Sequence, residues 1–150
     1  MNPRFPILLS LLLLVSCGTT APLGNGRMNY GSPNVKQHLK NENTFVVSHY
    51  ATDPTYGYTE KNPVMVGGQS EGPKNERRFL NALCGPNGEQ LVYDRIGSCC
   101  NFDTRNSSFS GGLLDMYNVS YPGLEENLVL FINMYDSDTL RVPVGLRLRD

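Results

Sequence analysis

The sequence predicts an α+β fold, a mostly antiparallel β-sheet of five to seven strands with one short packed helix. Two patterns predict it. After the turn signal Asn87-Gly88, apolar residues recur with the period of two that is typical of strands. Between residues 75 and 84 they follow helical spacing instead. The connections between the predicted strands are short, which favours antiparallel pairing.

The predicted helix begins at Asn75, which would cap its first turn, and stops before Gly85 and Pro86. Its apolar residues lie on one face: Phe79, Leu80, Leu83 and Cys84. Because the segment is short, a strand over residues 78–83 is the alternative.

Strands are predicted over residues 45–50, 63–68, 91–96, 113–121, 127–135 and 140–148. Residues 127–135 are apolar at almost every position, which predicts a strand covered on both faces, one of them by the helix. Residues 140–148 alternate between apolar and polar, and Pro143 suggests that they form an edge strand.

Size and charge exclude two classes of protein. With 150 residues the chain is long enough for one domain and too short for a barrel enzyme of about 250 residues. Its 13 basic and 14 acidic residues give a net charge of −1, so no nucleic-acid partner is expected.

The N-terminus predicts export. Arg4 precedes an apolar run from Ile7 to Val15, which is too short to cross a bilayer and suits a secretory signal. The run ends in Leu14-Val15-Ser16-Cys17, which resembles the lipobox of bacterial lipoproteins. That resemblance implies a signal peptide over 1–16 and a diacylglyceryl group on Cys17, whose new amine is then acylated. An ordinary cleaved signal is the alternative.

The chain then divides into a tether and a domain. Two or three acyl chains on Cys17 would make membrane attachment effectively permanent. Residues 17–43 lack a sustained period and predict a flexible tether, with one globular domain over 44–150. The resulting location is the bacterial cell envelope, and Gly18 favours the outer membrane or the periplasmic face.

The remaining cysteines leave several pairings open. The envelope favours oxidation, and Cys84, Cys99 and Cys100 are an odd number, so at most one internal bridge forms. Cys84 with Cys99 or Cys100 would close a loop of about 15 residues and stabilise the fold by about 3 kcal/mol. A vicinal Cys99–Cys100 bridge and three free thiols are the alternatives.

Few other residues indicate a metal-binding, cofactor-binding or acid–base site. His49 lies on a predicted strand and His38 in the tether, so a zinc site with the cysteines is not expected. The stretch Asp136-Ser137-Asp138 is typical of a hairpin loop, and its two carboxylates form a weak candidate site for a hard cation. No cofactor is expected, because the sequence lacks phosphate-loop, dinucleotide and zinc-hydrolase motifs. Further aspartates lie beside strands or in turns: Asp94, Asp103 and Asp115.

Two surface patterns suggest partners. Seven tyrosines in or beside strands would suit a sugar or peptide surface, although an ordinary core and sheet surface is the favoured explanation: Tyr50, Tyr56, Tyr58, Tyr93, Tyr117, Tyr121 and Tyr135. Arg141, Arg147 and Arg149 would share one strand face, for an anionic partner or as a solvated edge.

The domain also carries a family resemblance. Five stretches are similar to a family of short bacterial lipoproteins without an assigned activity, some of them labelled 2-dehydro-3-deoxyphosphooctonate aldolase: residues 50–58, 79–83, 85–88, 97–100 and 132–136. The resemblance implies an envelope lipoprotein and supplies no site residues. The labelled activity belongs to cytoplasmic barrels, which the length and the predicted signal disfavour here, so an aldolase is a less favoured alternative.

The sequence therefore predicts a membrane-anchored binding or structural module whose partner is another envelope component, either a protein or a glycan. The alternatives are an envelope enzyme acting on sugar or lipid through Cys99, Cys100, His49 or an aspartate, and a thiol-redox protein using Cys99 and Cys100.

Overall fold

The computed structural model describes residues 27–150, which form an α+β fold dominated by strands, as predicted. One α-helix, α1, runs over Gly72–Leu80 after a 3-10 turn at Gln69–Glu71. Ten strands are present in these residues: β1 Leu39–Asn41, β2 Thr44–Phe45, β3 His49–Tyr50, β4 Val64–Met65, β5 Leu83–Cys84, β6 Val92–Asp103, β7 Gly111–Ser120, β8 Leu128–Asn133, β9 Arg141–Val142 and β10 Arg147–Leu148.

A four-stranded sheet in the order β4-β8-β7-β6 organises the molecule. Its β6–β7 and β7–β8 pairs are antiparallel, and β4 joins β8 in parallel. The long strand β6 is therefore an edge strand. Short two-stranded pairs surround this sheet: β1 with β2 and β5 with β10 are antiparallel, and β3 with β9 is parallel.

The main core lies between α1 and one face of the central sheet. Phe79 and Leu80 of α1 are fully buried, because the sheet supplies an apolar row opposite them: Tyr117 and Val119 from β7, and Leu130 and Ile132 from β8. Each such side chain stabilises the fold by about 1.5–3 kcal/mol. The helix covers one face as expected, whereas Val129 and Phe131 are only half-buried on the other face.

A second apolar cluster covers the opposite face near the end of β6. Phe102 is fully buried between Tyr30 and Tyr135, whose rings meet it edge-on at 5.1 and 5.9 Å between centroids. Gly112 faces this cluster, and a Cβ there would come within 2.7 Å of Phe102, so the position requires glycine. The N-terminal segment therefore supplies part of a hydrophobic contact.

That contact changes the extent of the predicted tether. The Met28 carbonyl accepts from the Asp103 amide at 2.7 Å, the Tyr30 hydroxyl donates to the Glu60 carbonyl at 2.5 Å, and the Val35 amide donates to Ser137 at 3.3 Å. Residues 28–43, which were assigned to the tether because they lack a sustained period, thus pack against the domain through backbone hydrogen bonds, single side chains and strand β1. The predicted signal peptide and Cys17 lie outside the described residues.

The helix boundaries also differ from the prediction. α1 begins three residues before Asn75, because Pro73 is accommodated in the first turn. Asn75 lies inside the helix and donates from Nδ2 to the Gly67 carbonyl at 2.9 Å. The helix ends at Leu80, and Leu83–Cys84 form β5 because they pair with β10. Sheet pairing with a distant segment overrides the local helical spacing.

Two predicted strands are each divided. The first, over 45–50, becomes the end of β2 and the separate β3. The last, over 140–148, is interrupted by a turn in which the Leu146 amide donates to the Pro143 carbonyl, with Gly145 at φ +91°. Arg141 and Arg147 consequently lie in two different sheets, so the single arginine face predicted from the alternation is not formed.

Candidate functional site

Strand β6 departs twice from regular pairing with β7. Arg95 pairs with Tyr117 and Gly97 with Met116, so Ile96 is an extra residue. Gly97 has φ +149°, which disfavours other residues. Such a bulge shifts the alternation of side chains by one. Arg95 and Ser98, three residues apart, therefore share the face on which α1 packs.

The second irregularity lies between Cys99 and Phe102, where Cys100 has φ +59°. The structure joins the sulfurs of Cys99 and Cys100 in a vicinal disulfide, and both residues are half-buried. Of the pairings that the sequence left open, this is the one present. Cys84 is a free, buried thiol in β5, where its Sγ donates to the Leu148 carbonyl at 3.2 Å.

The bulge builds a polar network around Asp115. Arg95 donates from Nε to Asp115 Oδ2 at 2.7 Å and from Nη2 to Oδ1 at 2.8 Å, a two-pronged contact. Ser98 Oγ donates to the same Oδ1 at 2.8 Å. Asp115 is 5% exposed, whereas Arg95 and Ser98 are exposed. The exposed cation thus neutralises a buried carboxylate.

Glu76 of α1 lies on the inner side of this network. It is fully buried, and its Oε2 accepts from the Tyr117 hydroxyl at 2.9 Å. Its Oε1 has no partner within residues 27–150 when the group is ionised. Burial, followed by the negative charge of Asp115, raises the pKa of Glu76 to about 8. Neutral Glu76 is able to donate a hydrogen bond to Asp115.

The surroundings of Asp115 lower its pKa, whereas those of Glu76 raise the pKa of Glu76. Burial by itself would raise the pKa of Asp115, but the hydrogen bonds from Arg95 and Ser98 outweigh burial and hold this pKa below its usual value. Two carboxyls with pKa values pushed apart are typical of acid–base sites. Here both are almost fully buried, so a substrate would meet only Arg95 and Ser98. The cluster fits a role in joining α1 to the sheet.

A polar cleft of about 330 Å³ lies at the end of β6. It opens between the N-terminal segment, the loop after β6 and the segment after β8. Its lining is made of amide, hydroxyl and charged groups, among them Asn29, Ser32, Asn34, Arg105, Asn106 and Asp136. Its size is at the lower end of the range for small-ligand sites.

Asp136 forms the floor of this cleft. It is 2% exposed, and its carboxylate accepts from Thr104 Oγ1 at 2.6 Å, from Asn106 Nδ2 at 2.8 Å and from Asn133 Nδ2 at 2.9 Å. Asn133 Oδ1 in turn accepts from the Asp136 amide at 3.0 Å. These bonds connect the loop after β6 to the end of β8 and hold the residues at the floor of the cleft in place.

The rim of the cleft has unused hydrogen-bonding groups. Arg105 is exposed, and within the described part of the chain its guanidinium has no hydrogen bond and no ion pair. Asn34 accepts through Oδ1 from Ser32 and Asn106, while its Nδ2 has no acceptor among the same residues. The rim thus offers cationic and amide donors to a ligand.

The other predicted site residues are scattered. His49 is exposed on β3, with Nδ1 3.0 Å from the Ser48 hydroxyl, and His38 is exposed before β1. Asp103 pairs with Arg27 at 3.4 Å. Of the Asp136-Ser137-Asp138 stretch, predicted as a hairpin loop, Asp136 is buried and Ser137 bridges to Val66. Residues 27–150 contain no group of three or more His, Cys, Asp or Glu able to hold a metal ion.

Sequence reasoning missed Glu76, Arg95, Ser98 and the cleft. One signal was available, because Gly97 inside a strand indicates a bulge.

None of the helices in the described residues is long and apolar enough to span a membrane. Comparison with protein-family models, curated proteins and solved structures gave no match.

Proposed function

We propose that this chain is a lipid-anchored protein of the bacterial cell envelope that binds another envelope component in the polar cleft above Asp136. The anchor is supported by the resemblance of Leu14-Val15-Ser16-Cys17 to a lipobox after a short apolar run. Binding is supported by the cleft.

The observation that carries the proposal is the contrast between the floor and the rim. The carboxylate of Asp136, at the floor, accepts from three donors. At the rim, Arg105 and Asn34 have hydrogen-bond donors without an acceptor among the described residues. Fixed amide, hydroxyl and guanidinium groups match the many hydroxyl and acidic oxygens of a glycan. A glycan is therefore the envelope component we propose.

The position of the cleft agrees with an envelope ligand. Asn29, on its lining, is 12 residues from Cys17. A chain spans at most about 3.6 Å per residue, so acylated Cys17 would keep the cleft within ~43 Å of its bilayer. Glycans attached to or lying beside that membrane are within this distance.

Titration calorimetry with soluble fragments of cell-wall and outer-membrane glycans tests the proposal. We expect one fragment class to bind the full chain, and the R105A/N34A variant to lose that binding. Arg149→Ala is the matched control, because Arg149 is exposed and lies outside the cleft. Equal binding by all three proteins, or no binding of any fragment, would contradict the proposal.

The vicinal disulfide favours a second candidate, thiol–disulfide exchange. A thiolate of a reduced partner would attack one sulfur of Cys99–Cys100, forming a mixed disulfide and releasing the other sulfur as a thiolate. Both cysteines are half-buried at a sheet edge. Reduction by a dithiol protein, followed by mass spectrometry, tests this, and the C99S/C100S variant should lose the exchange while retaining glycan binding.

A further inference from the structure

The loop between β6 and β7 presents an aromatic ring to solvent. Phe109 is 91% exposed, the largest value among the exposed large hydrophobic residues of the described chain. The loop that carries it is closed by backbone hydrogen bonds, from the Thr104 amide to the Ser110 carbonyl at 3.3 Å and from the Ser110 amide to Ser107 at 3.0 Å. The ring is therefore held outward by an organised turn.

The chain enters the described structure beside this loop. Arg27 donates from Nη2 to Asn101 Oδ1 at 2.7 Å and pairs with Asp103 at 3.4 Å, at the end of β6 where the loop begins. The same guanidinium lies beside Gly111, at the start of β7. The segment leading back to Cys17 therefore departs from the end of the molecule that displays Phe109.

The length of that segment limits the distance to the anchor. Arg27 lies ten positions after Cys17, so a lipidated Cys17 lies at most ~36 Å away along the chain. Residues 104–110 include one arginine and no acidic residue. An exposed aromatic ring in a loop without negative charge is suited to the headgroup region of a bilayer.

We infer that the β6–β7 loop rests on the bilayer that holds the acyl chains of Cys17, with the Phe109 ring inserted among the lipids. This inference depends on the proposed lipid anchor. It gives the anchored domain one orientation, in which the polar cleft, which Arg105 of the same loop lines, opens close to the membrane surface.

The sequence provides a clean reporter, because it contains no tryptophan. The full chain with Phe109→Trp would be purified with its lipids and placed in phosphatidylethanolamine–phosphatidylglycerol vesicles, with and without bromine on the acyl chains. Val144→Trp is the matched control, since Val144 is 46% exposed in the turn between β9 and β10. We expect brominated lipid to quench most of the tryptophan emission of Phe109→Trp and to leave that of Val144→Trp unchanged.

Flotation of the vesicles in a density gradient separates the two claims. If Phe109→Trp floats but is quenched no more than Val144→Trp, the anchor is retained and the inserted loop is overturned. Protein that does not float overturns the anchor and the inserted loop together. Strong quenching in both variants would also overturn the single orientation.

Discussion

Glu76 and Asp115 meet across the boundary between α1 and the central sheet, where their surroundings push their pKa values in opposite directions. Burial favours a neutral Glu76, and the bidentate Arg95 contact favours an ionised Asp115. A neutral Glu76 has a proton to donate to Asp115, whereas an ionised Glu76 would leave two negative charges side by side in the core. The polar part of the contact between α1 and the sheet therefore depends on the proton of Glu76.

The first prediction concerns pH. The pKa of Glu76 rises from 4.5 to about 8 on folding, so its contribution to stability is complete below pH 4.5 and is lost as the pH rises to about 8. We expect about 4 kcal/mol of the unfolding free energy to disappear over that range. Urea unfolding at a series of pH values measures it.

Glu76→Gln identifies the group responsible. Its amide is able to donate to Asp115 while its carbonyl accepts from Tyr117, with no proton to lose. We expect the variant to be more stable than the natural chain at pH 8 and to lose most of the pH dependence. Glu126→Gln, at an exposed position, is the control and should leave the profile unchanged. An unaltered profile in Glu76→Gln would refute this assignment.

The second prediction concerns Arg95. Arg95→Ala leaves the Asp115 carboxylate, which is 5% exposed, with the neutral donors Ser98 and Glu76 and without its cation. An uncompensated buried charge costs far more than an exposed ion pair contributes, so we expect a loss of about 2–3 kcal/mol in thermal or urea unfolding. Arg149→Ala removes an exposed arginine without such a partner and should cost less than ~0.5 kcal/mol. Equal effects would contradict the network.

The sequence predicts β7 and β8 nearly to their bounds, because their apolar residues follow strand patterns over 113–121 and 127–135. It predicts only the first part of β6, over 91–96, because the bulge at Ile96 and Gly97 interrupts the alternation. It does not predict the end of α1, since Leu83 and Cys84 continue the helical spacing but pair with β10. Nor does it predict that residues 28–43 are packed, because Met28 and Tyr30 contact Phe102, more than 70 positions away. Local periodicity carries no information on such contacts.

The candidate sites were missed for the same reason. Arg95, Ser98 and Asp115 assemble only after the extra residue Ile96 shifts the alternation of β6. The sequence predicts that Asp136 lies in a hairpin loop. It does not predict the site around Asp136, because the partners Thr104 and Asn106 belong to a loop some 30 residues earlier. The sequence shows Cys99 and Cys100 as neighbours, but it does not decide whether they form a disulfide with each other or whether one of them pairs with Cys84.

The third prediction concerns the thiols. Denatured, unreduced protein treated with an alkylating reagent should carry a label on Cys84, while Cys99 and Cys100 become reactive only after reduction. Peptide mass spectrometry of the two samples provides the measurement. A label on Cys99 or Cys100 before reduction, together with a blocked Cys84, would show the longer bridge instead.

The fourth prediction concerns the floor of the cleft. Asp136→Asn replaces an acceptor that serves three donors with an amide, so one donor must face another in a buried position. We expect a loss of about 2 kcal/mol in unfolding free energy, together with weaker glycan binding. Asp94→Asn, at an exposed position on β6, is the control. Natural stability in Asp136→Asn would show that the floor is not held as described.

The central claim is that Cys17 carries the acyl chains that attach this protein to a bilayer. Growing cells with labelled palmitate while they produce the natural chain or Cys17→Ser tests it most directly, with the mass of the mature N-terminal peptide as confirmation. The account predicts label in the natural chain and none in Cys17→Ser. An unlabelled natural chain, or equal label in both chains, would contradict it.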